Sequence, residues 1–180
     1  MPLITLQVLI DHEEDVFRRI SIDTSNTLEE LHLAILHAFN FNGDQMASFF
    51  QSDENWEKGE EFALMAMDEK TNSMADTTVE SLSLTKGSRM LYVYDFLRMW
   101  CFYIEVLDLK KGSQEFPITE YSFGVAPKEE EKDMDFGDEM ALLNPDGNKN
   151  DLSADPYGED DMDNLTDSDM FDSLDDMDHL

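Results

Sequence analysis

The segment Leu3-Ile4-Thr5-Leu6-Gln7-Val8-Leu9-Ile10 places four large apolar side chains on one side of an extended chain. After the polar residues 11–15, the segment Val16-Phe17-Arg18-Arg19-Ile20-Ser21-Ile22 alternates again. Alternation with a period of two is typical of strands that bury one face. A short polar connection between two such segments predicts a β-hairpin at the start of the chain.

A helix is predicted directly after the hairpin. The segment Thr27-Leu28-Glu29-Glu30 has the pattern of a capping box, in which the hydroxyl and the carboxylate satisfy backbone N–H groups of the first turn. The helix is expected to run to about Phe39 and to end at residues 40–43. Its apolar residues fall at helical spacing and are expected to cover the hairpin: Leu28, Leu31, Ile35, Ala38 and Phe39.

The remaining pattern predicts more strands and no second long helix. The predicted elements are short strands at 47–51 and 62–67, a helical turn at 77–82, a strand at 89–94 and a last strand at 100–107. An exposed loop containing Trp56 is expected between the first two. Together these elements predict an α+β fold, with a single mixed sheet and one main helix packed after an N-terminal hairpin, a ubiquitin-like start.

Charge divides the chain into two parts. Residues 1–127 carry 22 acidic and 9 basic side chains, whereas residues 128–180 carry 20 acidic and 3 basic ones. The second part has too few large apolar groups and too much self-repulsion to offset the entropy of ordering. We therefore predict an α+β domain at 1–127 and an acidic, largely disordered tail at 128–180.

Composition also limits the compartment and the partners. The net charge of −30 disfavours direct binding to nucleic acid and to anionic membranes, and it favours a basic protein partner. Cys101 is the single cysteine, which excludes an internal disulfide and fits a reducing compartment. The first residues lack a basic flank and a cleavage site, so we expect a soluble, cytoplasmic protein. The sequence does not predict an oligomeric state.

No catalytic or metal site is predicted. His32 and His37 lie five residues apart, about 140° around a helix, so they cannot share a metal ion and are expected to be surface or boundary histidines. Cys101 is expected to pack as a small apolar residue. No nucleophile turn or phosphate-binding glycine loop is present in the sequence, and no cofactor is expected.

Two adjacent arginines follow the first turn. Arg18 and Arg19 lie on one strand, so their side chains point to opposite faces of the sheet. The arginine on the core side is expected to form an ion pair with Asp95 or Glu105 on a neighbouring strand.

The tail contains a possible binding motif. Four apolar residues recur at helical spacing behind a plausible cap: Met170, Phe171, Leu174 and Met177. Asp175, Asp176 and Asp178 oppose the helix dipole at its negative end, so the helix should be unstable alone. A partner with an apolar groove and a basic rim would remove that penalty. The alternative is a tail that only increases solubility.

Several segments resemble a known family: Val16-Phe17-Arg18-Arg19-Ile20, Thr27-Leu28-Glu29-Glu30-Leu31-His32, Phe39-Asn40-Phe41, Tyr92-Val93-Tyr94-Asp95-Phe96 with Trp100 and Ile104, then Phe116-Pro117, Gly124 and Ala126-Pro127-Lys128-Glu129. Over residues 3 to about 130 the chain resembles the plasmid pRiA4b third-open-reading-frame-like family. The resemblance implies an α+β domain found on plasmids, mobile elements and chromosomes, without an established activity. Its motif positions here are Arg18, Arg19, Leu31, His32, Tyr94, Asp95, Phe96 and Trp100.

The family label does not supply a reaction for this chain. Some members are labelled insertion-element passengers or resolvase-like, but the sequence has neither an activated serine among arginines nor a basic DNA-binding segment. Leu97-Arg98 stands where members usually have Gly-Asp, which indicates a degenerate site or none.

The leading hypothesis is a non-catalytic interaction protein whose acidic tail docks onto a basic partner. One alternative is a nucleic-acid mimic that occupies a DNA-binding protein, favoured if the acidic residues of the domain gather on one face. The other is an enzyme with a degenerate polar site, in which Asp95, Arg18 and Trp100 surround a cleft.

Overall fold

The first two strands form the hairpin that the alternating pattern predicts. In the computed structural model, which describes residues 2–133, β1 (Pro2–Ile10) pairs antiparallel with β2 (Phe17–Asp23). The large apolar side chains on one face of β1 are fully buried: Ile4, Leu6, Val8 and Ile10. Burial of that face fixes the register, because a slip of one residue would turn it to solvent.

Helix α1 (Leu28–Phe39) begins at the predicted capping box. The hydroxyl of Thr27 accepts from the backbone N–H of Glu30 at 3.2 Å, and the carboxylate of Glu30 accepts from the N–H of Thr27 at 2.7 Å. The helix ends at Asn40, which adopts a left-handed conformation with φ of 59°. Its apolar side packs on one face of the sheet and completes the core.

Six further strands complete one sheet: β3 (Ala47–Ser52), β4 (Lys58–Ala63), β5 (Asn72–Ser73), β6 (Arg89–Tyr94), β7 (Trp100–Lys111) and β8 (Ile118–Phe123). The strand order is β5-β4-β3-β6-β7-β1-β2-β8, and the β4–β5 pair is parallel whereas the other neighbours are antiparallel. Single turns of 3₁₀ helix lie at Glu80–Leu82 and Glu129–Glu131. The predicted α+β class with one mixed sheet and one main helix is confirmed.

Two strands differ from the sequence prediction. The strand predicted at 62–67 lies at 58–63, because Met65 and Met67 are exposed in a loop and the charged residues before Phe62 pair with β3 instead. Strand β7 was predicted as the last strand and to end near Leu107, but it continues to Lys111 and is followed by β8. All six residues of β8 are exposed, so no buried alternation marked it.

The loop with Trp56 is less exposed than predicted. The Trp56 ring is half-buried and meets Tyr103 edge-on at 5.0 Å between centroids, while the Arg89 guanidinium lies 4.8 Å above it. The loop therefore folds back over the face of the sheet opposite α1, which we call the outer face.

The structure leaves part of the predicted organisation untested. Residues 128–133 are described, but the rest of the predicted tail, 134–180, lies outside the described residues. The division at 127/128 and the disorder of the tail therefore stay predictions. Among the helices of residues 2–133, none has both the length and the hydropathy needed to cross a bilayer.

Candidate functional site

Two residues of the family motif meet the end of the described chain. Tyr94 and Trp100 lie opposite each other on β6 and β7, at the edge of the core. The hydroxyl of Tyr94 donates to the carboxylate of Glu129 at 2.6 Å, and the indole N–H of Trp100 donates to the backbone carbonyl of Glu129 at 3.1 Å. The two aromatic residues thus anchor residues 126–132, which we call the closing segment.

The carboxylate of Glu129 is almost fully enclosed. Glu129 is 9% exposed, and its second oxygen accepts from the backbone N–H of Asn42 at 2.9 Å. Burial, and then the hydrogen bond to Glu129, raise the pKa of Tyr94 well above its ordinary value. Tyr94 therefore stays protonated and remains a donor, as the buried carboxylate requires.

Basic side chains fasten the far end of the closing segment. The ammonium of Lys132 lies 5.5 Å above the Trp100 ring and donates to the carbonyl of Met99. Arg98 donates to the carbonyl of Lys132 at 2.6 Å. The segment is therefore held at two points along its length, by its own carboxylate and by these cations.

Asp95 serves the turn between β6 and β7. It has φ of 61°, and its carboxylate accepts from the backbone N–H groups of Leu97 at 3.0 Å and Arg98 at 3.2 Å. The Arg98 side chain lies 3.5 Å from the same carboxylate. Phe96 in this turn is exposed. Within the motif Tyr94-Asp95-Phe96, the aspartate thus shapes a local turn, as aspartate does in Asx turns.

Arg18 does not form the predicted ion pair. It is 6% exposed, lies on the core side, and donates to four backbone carbonyls: Ala38 at 3.0 Å, Phe17 at 2.9 Å, Phe123 at 2.8 Å and Gly124 at 3.3 Å. The prediction of a pair with Asp95 or Glu105 was wrong, because Asp95 is engaged in its own turn and Glu105 points to the outer face. Burial lowers the pKa of Arg18 from its ordinary value.

The three residues of the enzyme alternative have separate partners. Arg18 binds carbonyls of α1, β2 and β8, Asp95 binds its own turn, and Trp100 binds the closing segment. The hydrogen bonds of these residues do not converge on a shared cleft.

His32 is a core residue, contrary to the prediction of a surface or boundary position. It is 2% exposed, and its Nδ1 is hydrogen-bonded to the hydroxyl of Tyr92 at 2.6 Å. Burial lowers the pKa of His32 to about 4, so the ring is neutral at pH 7. Its neighbour Leu31 is buried in the same core, whereas His37 on the same helix is exposed.

Two clefts adjoin the closing segment, and Cys101 lies elsewhere in residues 2–133. Clefts of about 360 and 510 Å³ flank the closing segment. Within the described part of the chain, no three His, Cys, Asp or Glu side chains are placed to hold a metal ion. Cys101 is half-buried on the outer face, and burial raises the pKa of its thiol, which fits the predicted packing role.

An aromatic cluster on the outer face was missed by sequence reasoning. Phe17 stacks on Phe123 with 5.2 Å between ring centroids and lies 5.9 Å from Tyr121. The guanidinium of Arg19, the outward arginine, lies 5.3 Å above the Tyr121 ring. We call Phe17, Tyr121 and Phe123 the aromatic row.

Further apolar side chains within β8 and next to it in the sequence are exposed. Tyr121 and Phe123 are 48% and 46% exposed, Ile118 on the same strand is exposed, and so are Phe116 and Val125, which flank β8 in the sequence. Contiguous exposed apolar surface is characteristic of binding sites, whereas scattered single residues are ordinary. No sequence signal marked this surface, because alternation between buried and exposed positions is absent from β8.

The predicted tail motif is not placed by the structure. Met170, Phe171, Leu174 and Met177 lie outside the described residues.

Residues 2–133 thus form an α+β fold with an eight-stranded mixed sheet, one covering helix and a closing segment anchored by Tyr94 and Trp100. The family model described as plasmid pRiA4b ORF-3-like protein matches residues 3–173, and the chain belongs to this family. The resemblance was expected to end near residue 130, but the family match continues through most of the acidic region.

A solved structure shares the fold. The crystal structure of a protein of unknown function, MM3350, from Methanosarcina mazei Go1 is similar with a TM-score of 0.63 and 20% sequence identity. The similarity covers 73% of this chain and 75% of that chain. Among curated proteins, none matches this chain.

Proposed function

We propose that this protein is a non-catalytic interaction module that binds a basic protein. The observation that supports the proposal is the apolar surface of β8, where Tyr121 and Phe123 of the aromatic row are exposed on the outer face. Aromatic side chains provide large contact areas at low entropic cost and are enriched at binding hot spots.

Charge selects the kind of partner. Glu115 and Glu120 are exposed beside or within β8, and the whole chain has a net charge of −30. Opposite charge steers association and suppresses wrong partners. Lysine and arginine side chains of a partner can also lie over aromatic faces such as that of Tyr121.

The tail adds a second contact in this proposal. Met170, Phe171, Leu174 and Met177 would form a helix on the partner, which supplies the basic rim that their aspartate neighbours require. A folded surface and a tail that act together raise the effective concentration of each for the same partner.

Nucleic-acid mimicry is the weaker candidate. A mimic needs a row of acidic groups on one face, but the acidic loops 11–15 and 53–57 lie at opposite ends of the sheet. The strand pairs from β1 through β7 and β6 to β3 align Ile10 with the first half of β3. The loop 11–15 therefore lies at the end of the sheet where β3 begins, whereas the loop 53–57 lies at the end where β3 stops. This distribution does not favour an extended phosphate-like row.

Affinity capture from a lysate of the source organism tests the proposal. The full-length chain is compared with the pair Tyr121→Thr and Phe123→Thr, with the pair Phe171→Ser and Leu174→Ser, and with Leu33→Ser as a control on an exposed helix residue. We expect a basic protein to be retained by the unsubstituted chain and by the control, and lost from the β8 pair. Retention of the same proteins by all variants would contradict the proposal.

A further inference from the structure

We propose that β8 binds an extended, basic segment of the partner as an added ninth strand of the sheet. This inference rests on the proposed interaction function and names the mode of binding at the same surface. In strand addition, main-chain hydrogen bonds provide affinity and alternate side chains provide specificity.

The sheet leaves one long edge available. β8 is the terminal strand and pairs only with β2 among the described strands, so its other side presents backbone N–H and C=O groups. The opposite edge is formed by β5, which has only two residues. An added strand of useful length therefore fits β8.

Strand β8 is fixed in place before any partner arrives. The buried guanidinium of Arg18 donates to the carbonyls of Phe123 and Gly124, which joins the end of β8 to β2 and α1. Gly124 has φ of 79°, and a Cβ on it would lie 2.6 Å from the carbonyl oxygen of Asp15. Little ordering of β8 is then needed on binding, which favours affinity.

A bulge sets the side chains that an added strand would meet. Thr119 is opposite Ile20 and Tyr121 is opposite Arg19, so Glu120 is an extra residue between them. The shift by one residue brings Ile118, Tyr121 and Phe123 to the outer face together. Apolar or long basic side chains on one face of the added strand would therefore contact this row, while Glu120 attracts positive charge.

A second copy of this chain is a less favourable partner for the β8 edge than a basic segment. Edge-to-edge pairing of two copies would bring together two molecules of net charge −30 and two copies of Glu120. Like charges placed across an interface oppose association. The occupant is accordingly an extended segment with alternating apolar and Lys/Arg side chains.

Calorimetric titration of the full-length protein with a synthetic peptide of alternating valine and lysine tests the mode of binding. The matched peptide carries N-methyl groups on alternate backbone nitrogens, which removes strand pairing and keeps the charge. We expect the N-methyl peptide to bind at least about tenfold more weakly at 0.5 M salt, where charge attraction is screened. Slower amide exchange in β8 on adding the unmodified peptide is also expected.

Two charge-reversal variants test whether the added strand lies along β8. Glu120→Lys is expected to weaken binding of the unmodified peptide by about three- to tenfold at 0.15 M salt, whereas Glu69→Lys, in the loop near the opposite edge, is expected to change it by less than about twofold. Equal binding of the two peptides, equal effects of the two variants, or a stable dimer of the protein alone would overturn the inference. Capture of a basic partner that depends on Tyr121 and Phe123, with equal peptide affinities, would leave the interaction function standing and reject only strand addition.

Discussion

Two aromatic side chains hold the closing segment and two others lie on strand β8, but the two regions use these rings in opposite ways. At the closing segment, Tyr94 and Trp100 direct their polar atoms to Glu129 and are buried. At β8, Tyr121 and Phe123 are about half exposed, and one edge of the backbone has no neighbouring strand among residues 2–133. Tyr94 and Trp100 therefore support the fold, whereas the surface that we propose for recognition is formed by β8 and Phe17.

Substitution of Trp100 should cause the largest loss of stability among the changes predicted for the two regions. Trp100→Ala deletes a side chain that is buried against Phe41 and leaves the carbonyl of Glu129 without its donor. We expect a loss of about 3–5 kcal/mol in the free energy of unfolding, measured by urea denaturation of the full-length chain.

Phe96→Ala is the matched control for that substitution. Phe96 is an aromatic residue of the turn just before Trp100 but is exposed, so a loss below about 1 kcal/mol is expected. If the two losses were equal, the closing segment would not depend on the buried ring.

His32 gives the next largest effect, and it appears as a dependence on pH. Burial lowers the pKa of His32 to about 4 in the folded chain, while the unfolded value is near 6.5. Between these values the unfolded chain binds more protons at His32, so the stability that neutral His32 contributes is fully present above about pH 6.5 and is lost as the pH decreases towards 4. The expected loss across this window is about 3 kcal/mol, measured by urea denaturation at several pH values.

His32→Asn should flatten that dependence, because it retains a polar group near the Tyr92 hydroxyl but does not titrate. His37→Asn, on the exposed side of the same helix, is the control and should leave the slope unchanged. A slope that persists in the His32 variant would assign the pH effect to other groups.

Sequence patterns predicted the elements that bury one face. The hairpin, the capped helix and the strands at 47–51, 89–94 and 100–107 were found because burial imposes a period on the chain. Strand β8 was not predicted because it forms no part of the core. Strand β4 was predicted at the wrong position because exposed methionines have the apolar pattern of a buried strand. Whether a strand lies at the edge of a sheet depends on its neighbours in the folded structure, and the local sequence pattern does not show them.

The roles of single polar residues were harder to predict than the fold. Arg18 was expected to find a carboxylate, but carbonyl groups from three elements converge on it, and no local pattern records that convergence. His32 was expected near the surface, yet it fills a core position opposite Tyr92. Glu129 lay in a run of acids, and only the fold distinguishes it from its exposed neighbour Glu130.

Glu129 provides the third prediction. Glu129→Ala removes the acceptor of the Asn42 N–H and the closer of the two acceptors of the Tyr94 hydroxyl, so a loss of about 1–3 kcal/mol in unfolding free energy is expected. Glu130→Ala, one residue away and exposed, should change stability by less than about 0.5 kcal/mol. Equal effects in chemical denaturation would mean that the carboxylate does not anchor the closing segment.

Tyr121→Thr should have the smallest effect on stability and a clear effect on binding. Tyr121 is 48% exposed on an edge strand, and threonine suits a strand, so we expect a change below about 0.5 kcal/mol in urea denaturation. The same substitution removes one ring from the aromatic row, and it should weaken binding of the alternating valine–lysine peptide by about tenfold in calorimetry. A large loss of stability would show that the row supports the fold, as Tyr94 and Trp100 do, and the distinction between the two regions would fail. Since stability and affinity are measured on one variant, a loss of binding with unchanged unfolding assigns Tyr121 to recognition.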